Sequence, residues 1–255
     1  MFFPKSTLIK AWISGIAIVL LPVLFHGRVE ALPSVGLDLS SYPGTEASLV
    51  ARITIVGDPG HKIHAAGLKL IYPADRVRFT HMDEIKGVVL KHGESKGKGI
   101  LTVGLMDVTG RERIELILHF STLRSGSDTC IPMVITQEGL ENDIKGATIS
   151  PVRAYCLERP AEVDAWSNPD ESANLFLIIP NLKAIKGASI FYGQTDITAA
   201  MVMAGSYFYD PLKDILYYIL PGITIPPGQY PLTINWDYGR GQKSKNVTVV
   251  VTGSN

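Results

Sequence analysis

The sequence predicts an all-β protein, two β-sandwiches behind a short N-terminal leader, and three observations lead there. Beyond residue 31, apolar residues alternate with polar ones at the two-residue period of a strand with one buried face, and the helical spacing is nearly absent. The alternating and β-branched runs are about 4 to 11 residues long, ordinary for strands. Turn residues punctuate them, drawn from 24 glycines and 16 prolines and from Asn and Asp. A sheet with one apolar face must bury it on a second sheet, so strands of this kind pair into sandwiches.

The leader comes first. Lys5 and Lys10 precede an apolar run from Ala11 to Phe25, which closes on Val29-Glu30-Ala31. A charged start, a short apolar stretch and a small residue before the cut are the features of a secretory signal peptide, so residues 1–31 are expected to be removed and the mature chain to begin near Leu32. The run is short for a hydrocarbon core of about 30 Å and is broken by Ser14, Gly15 and Pro22. A membrane is therefore engaged only through this segment, if it stays uncleaved. The expected location is secreted, periplasmic or cell surface.

Removing the leader leaves 224 residues, long for one sandwich and comfortable for two domains of about 100 each. The chain carries 24 Lys and Arg against 24 Asp and Glu. That balance speaks against a nucleic-acid partner, whose binding draws on clustered cations. The basic stretch from Lys86 to Lys98 is interleaved with Gly87, Gly93 and Gly97 and reads as a solvated loop. The two cysteines, Cys130 and Cys156, both lie in the exported part, where an oxidising compartment lets them pair. A disulfide is expected, contributing roughly 3 to 4 kcal/mol for a loop of that length.

In the first domain, 35–157, strands are predicted at 48–56, 65–72, 77–80, 88–91, 100–107, 113–123, 129–137 and 147–156, with turns at Asp58-Pro59-Gly60, Thr109-Gly110 and Ser125-Gly126. Alternation is clearest at 113–120: Ile114, Leu116, Leu118 and Phe120 share one face, and Arg113, Glu115 and His119 the other. From 158 to 173 the pattern stops in a polar stretch with two prolines and five acidic residues, expected to be a linker. The second domain, 174–255, has predicted strands at 174–179, 188–192, 199–203, 206–209, 215–220, 228–238 and 245–252. Seven short strands in about 80 residues suit an immunoglobulin-like sandwich, here without an internal cysteine pair.

Four segments of the first domain, in this order, resemble a cohesin module: Ser41-Tyr-Pro-Gly-Thr-Glu and the strand after it; Ile63 to Tyr72-Pro73; Gly99 to Asp107; and the long strand from Ile114 to Thr122 before Ser125-Gly126. The resemblance implies a nine-stranded jelly roll related to carbohydrate-binding modules, with calcium-loaded dockerins as the family's best-known partners. Where many cohesins carry Asp between the Tyr and the Pro, this chain has Tyr72-Pro73 directly. No partner-binding residue is carried over.

Catalytic signals are missing: there is no nucleophile elbow, zinc-protease helix or phosphate loop. Ser127 sits in a turn, and the pairs Asp83-Glu84 and Glu112 with Glu115 read as solvated faces. His61 and His64 straddle a turn and a strand start, where residues three apart point to opposite faces, and His81 and His92 stand elsewhere, so no metal site is expected. Asp38, Asp58, Glu141 and Asp143 could offer oxygens to calcium, but no ordered loop motif contains them. No cofactor is expected. The candidate contact residues are Tyr207, Tyr209, Tyr217 and Tyr218, of which part must face outward on alternating strands. Trp166 and Trp236 suit packing between domains or binding, and Asn246-Val-Thr248 is a glycosylation sequon. The function expected is an exported, non-catalytic binding or assembly protein whose first domain contacts a protein partner or a polysaccharide. The alternatives are a carbohydrate-binding module and a small polysaccharide-active hydrolase, the latter requiring two carboxylates in one cleft.

Overall fold

The computed structural model describes residues 32–41, 48–95, 99–123, 130–137, 143–150, 152–156, 160–170 and 172–253. The expected leader, Ser127 and Glu141 lie outside these residues. Two pairs of sheets carry the chain, as the all-β prediction requires.

The first pair is built from β1 (Ser34–Ser41), β2 (Ser48–Val56), β3 (Ile63–Ile71), β4 (Val77–Met82), β5 (Val88–Ser95), β6 (Ile100–Arg111), β7 (Arg113–Thr122), β8 (Cys130–Gln137), β9 (Thr148–Ile149) and β10 (Arg153–Cys156). One sheet runs β4-β7-β2-β1-β9 and the other β10-β8-β3-β6-β5. Their facing sides share one core. Leu49, Ala51, Ile53 and Ile55 of β2 and Ile114, Leu116, Leu118 and Phe120 of β7 meet Leu68 and Leu70 of β3 and Leu101, Val103 and Leu105 of β6. The predicted inner face of 113–120 is the inner face observed. Two elements differ from expectation. Residues 34–41 form a strand because Val35, Leu37 and Leu39 alternate into the core despite their Ser, Gly and Asp neighbours. The single strand expected at 147–156 is two: β9 runs parallel to β1 in one sheet and β10 antiparallel to β8 in the other. The sequence places Pro151, which has no N–H for a ladder, between them.

The second pair comprises β11 (Asp164–Trp166), β12 (Ala173–Pro180), β13 (Gly187–Tyr192), β14 (Thr195–Asp196), β15 (Ser206–Asp210), β16 (Ile215–Ile223), β17 (Gly228–Asp237) and β18 (Gln242–Val251), with the helix α1 (Thr198–Ala204). The sheets are β11-β12-β16-β15 and β14-β13-β17-β18, and Leu175, Leu177, Leu216, Tyr218, Ile234, Trp236, Val247 and Val249 lie in the core between them. The strand expected at 199–203 is α1, because a short apolar run carries no period and Ala and Met are good helix formers. Just before it, Asp196 accepts hydrogen bonds from the Thr198 N–H at 2.9 Å and the Thr198 hydroxyl at 2.6 Å. The stretch expected as a linker supplies β11, which adds an edge to the second pair.

β12 is buried at every position. Leu175, Leu177 and Ile179 enter the core of their own sandwich, while Phe176 and Ile178 point the other way, onto the first. With Ile215, Tyr217 and Ile219 of β16 they meet Ile71, Cys130, Val134 and Val152 in a third apolar cluster. The seam is also polar. The buried Arg76 donates to the Cys130 carbonyl at 2.8 Å and to the Asp164 carboxylate, and its guanidinium lies 3.4 Å from the centre of the Trp166 ring. Trp166 stacks on Phe176, and Asn168 donates to the Tyr72 carbonyl at 3.1 Å. Lys245 donates to the other Asp164 oxygen at 2.6 Å. Burial, the largest influence on the Asp164 carboxyl, pushes its pKa up, but the bonds from Lys245 and Arg76 together outweigh it and hold it below the usual range. The expected disulfide between Cys130 and Cys156 is formed and borders this seam.

Candidate functional site

The four tyrosines singled out from sequence do not form a contact surface. Tyr217 is 1% exposed on the seam, with its hydroxyl 3.3 Å from Cys156 Sγ, and burial pushes its phenol up to about 12. Tyr218, 4% exposed, enters the second core and donates to the Met201 carbonyl at 2.7 Å. Gly205 makes room for its ring: a Cβ there would sit 2.1 Å from Tyr218 Cε2. Tyr209 packs on the same core and donates to Asp214 at 2.9 Å; burial, then that bond, raises its phenol to about 12. The buried Tyr217 and Tyr218 are corrections to the expected contact set, while Tyr209 is half-buried. Both faces of β16 are covered, so alternation leaves neither Tyr217 nor Tyr218 in solvent. Tyr207, 42% exposed, stays at the surface. It lines an open cleft of about 540 Å³ between the sandwiches, with Thr136, Gln137, Ser150 and Ser206. Among the described residues lining this cleft there is no carboxylate. Trp236 is in the second core, and Trp166 is in the seam.

An exposed apolar strip lies on the far end of the β10-β8-β3-β6-β5 sheet. Val89 and Met106 are cross-strand neighbours, 56% and 58% exposed, and Val108 beside them is 82% exposed. Local chemistry makes Val108 protrude. Between Ile63, opposite Arg111, and Ala65, opposite Met106, the register slips, so residues 107–110 bulge from the β3 side. The Asp107 carboxylate turns inward, fully buried, and accepts from the Thr109 hydroxyl at 2.8 Å, the Thr109 N–H at 3.0 Å and the Gly110 N–H at 3.2 Å. Arg111 Nε lies 3.0 Å from its other oxygen. The Thr109 hydroxyl bond is the chief influence holding this carboxyl below its usual range, against burial. Gly110 has a φ of 68°, and a Cβ on it would meet the His64 ring at 2.5 Å, so no other residue fits the bulge. Next to the strip the face is flat, because Gly67 and Gly104 stand opposite each other. Outward positions on β3, β5 and β6 carry Lys69 and Lys91 as their only charged side chains.

Metal-ligand atoms converge at one place among the described residues: His81, Asp83 and His119. His81 was singled out from sequence only as a residue standing apart; its neighbours here are Asp83 and His119, not His61, His64 or His92. His64 Nδ1 lies 3.1 Å from the Asp107 carbonyl, and His92 packs edge-on against Phe79. The pairing of β4 with β7 creates the cluster, and the outward position of His119 is the part of it visible in the alternation of 113–120. Of the acidic groups considered for calcium, Asp38, Asp58 and Asp143 belong to no cluster of metal-ligand atoms among the described residues. Asp143 accepts the His64 and Ala65 N–H groups at 2.5 and 2.9 Å, a structural use of its carboxylate.

No family model matches the chain, and no curated protein does. Among solved structures it is similar to cohesin modules. The sixth cohesin of scaffoldin B from Acetivibrio cellulolyticus, solved in complex with a Cel5 dockerin, is 16% identical over 50% of this chain and 99% of its own, with a TM-score of 0.39. The cohesin module of a Clostridium perfringens family 33 glycoside hydrolase is 11% identical over 50% of this chain and 91% of its own, at 0.36. The type II cohesin dyad of the Acetivibrio cellulolyticus adaptor scaffoldin ScaA is 6% identical over 88% of this chain and 100% of its own, at 0.42. At these scores, function is argued from the site alone.

Proposed function

We propose that this is an exported, non-catalytic contact protein whose first sandwich presents the open end of its β5-β6 face to a protein partner. One observation carries the reading: the exposed row of Val89, Met106 and Val108, flattened by the Gly67–Gly104 pair and flanked on the same face by Lys69 and Lys91. Apolar residues held out on a flat sheet lose water only when something covers them. Two lysines with no acidic residue on the same outward positions favour a partner whose apolar patch is edged by carboxylates. Export is supported by the leader-like residues 1–31 and by the disulfide, which an oxidising compartment maintains. The second sandwich acts as a fixed support, because the seam buries apolar side chains from both halves.

A polysaccharide ligand is the second reading, favoured by Tyr207 among hydroxyl and amide groups in the cleft. One experiment separates the two. The purified protein and its Met106→Asp variant are used to capture proteins from the medium of the source cells, beside a panel of immobilised polysaccharides. Retention of an acidic-surfaced protein by the parent and its loss in the variant is the expected result. Retention on a polysaccharide that disappears in Tyr207→Ala, with no protein retained, overturns it.

A further inference from the structure

We propose that His81, Asp83 and His119 form a binding site for a divalent transition-metal ion of the zinc type. The backbone puts them together. β4 and β7 pair antiparallel with His81 opposite His119, and the register slips between Phe79 and His81. The chain leaving β4 is still tied to β7, since the Asp83 N–H donates to the Ile117 carbonyl at 3.0 Å. The two imidazoles stack with centroids 4.2 Å apart and planes 3° from parallel. Both Nε2 atoms face one carboxylate oxygen: Asp83 Oδ1 is 3.0 Å from His119 Nε2 and 3.8 Å from His81 Nε2. All three donor atoms lie within 4.8 Å of one another. Donors around a tetrahedral zinc ion, with bonds of about 2.0 to 2.2 Å, stand about 3.3 Å apart and each imidazole binds in its own ring plane, so closure asks the donor atoms to approach by roughly 1 Å and the two stacked rings to tilt toward a common point.

Hydrogen bonding prepares His81 for this role. The Thr80 hydroxyl gives its one proton to the His119 carbonyl at 2.8 Å, so toward His81 Nδ1, 3.2 Å away, it can only accept. The neutral ring therefore carries its hydrogen on Nδ1, and its Nε2 presents a lone pair. In that form the lone pair faces the Asp83 carboxylate, whose Oδ1 also lies 3.0 Å from His119 Nε2, and no proton stands between the His81 nitrogen and the carboxylate. A cation placed there resolves the opposition, and the Nδ1–H contact to Thr80 is the outer-shell bond that orients metal-binding histidines. Two imidazole nitrogens and one carboxylate oxygen select zinc, copper or nickel over calcium or magnesium. His81 and Asp83 are 62% and 45% exposed, which leaves a further coordination position open to water or to a donor from another molecule.

The test is calorimetric titration of the purified protein, free of any histidine tag, with Zn²⁺, and the visible spectrum with Co²⁺. One ion per chain is expected, with affinity reduced tenfold or more in His119→Ala and His81→Ala and unchanged in His61→Ala. Thr80→Val, which keeps all three ligands, should weaken binding by a factor of about 10 to 100. His81 is exposed enough that its variant reports even if His119→Ala does not fold. Absence of stoichiometric uptake, or uptake that survives His81→Ala, overturns the site.

Discussion

The outward side of the β10-β8-β3-β6-β5 sheet meets two environments within one strand length. At one end Ile71, Val134 and Cys130 lie under Phe176, Ile178, Tyr217 and Ile219 of the second sandwich. At the other, Val89, Met106 and Val108 stand in water. The residues are of one kind and the strands are the same, so composition cannot explain the difference. Docking of the second sandwich turned half of an apolar face into interior, reinforced by Arg76, Asp164, Trp166 and Asn168. Among the described residues the open half has no such cover. A partner of the open half would need to do for Val89 and Met106 what Phe176 and Tyr217 do for Val134.

Breaking the covered half should have the largest effect. Tyr217→Ala removes a fully buried ring at the centre of the seam and is expected to cost about 3 to 5 kcal/mol. Urea unfolding reads this, and a loss below about 1 kcal/mol would show that the seam is not packed as an interior.

Arg76→Ala is next. It takes the cation from Asp164, Trp166 and the Cys130 carbonyl together, at an expected cost of about 3 kcal/mol. Asp164 also gives this polar part of the seam a pH signature. Its folded pKa is depressed, so its contribution is fully present above the unfolded value, near 3.9, and is lost as pH falls through the lower folded value. Denaturation at pH 7, 4 and 3 should show part of the parent's stability disappearing in acid, and Asp164→Asn should flatten that fall. An equally steep fall in the variant would assign the acid sensitivity elsewhere, with the depressed carboxyl of Asp107 as the next candidate.

The smallest effect belongs to the open half. Met106→Ser, at a site 58% exposed, should change stability by no more than about 0.5 kcal/mol. A cost of several kcal/mol in thermal or urea unfolding would mean that this residue already packs against something, and the contrast between the two halves would fail.

Much of the fold was legible because alternation is a local signal. At 113–120 it assigned Ile114, Leu116, Leu118 and Phe120 inward and His119 outward, as observed. It misread 199–203, where five apolar residues carry no period, and passed over 34–41, where small polar residues mask the inward Val35, Leu37 and Leu39. It also treated 158–173 as a spacer, since β11 has only three residues and its stability comes from pairing with β12. The candidate site was less legible. Tyr217 and Tyr218 were rightly placed on opposite faces of one strand, but that both faces are covered is a property of the partner sheets.

By itself the sequence determined the all-β class, the inner face of the strand at 113–120 and the means to pair Cys130 with Cys156. Those follow from a two-residue period and from cysteine count, quantities that need no knowledge of distant neighbours. Only the tertiary structure decided which outward residues are buried, so that Val134 is interior and Met106 is surface. It alone brought His81, Asp83 and His119 to one point. The reason is physical: alternation tells each strand that it has two sides, while what lies against the second side depends on contacts between residues far apart along the chain.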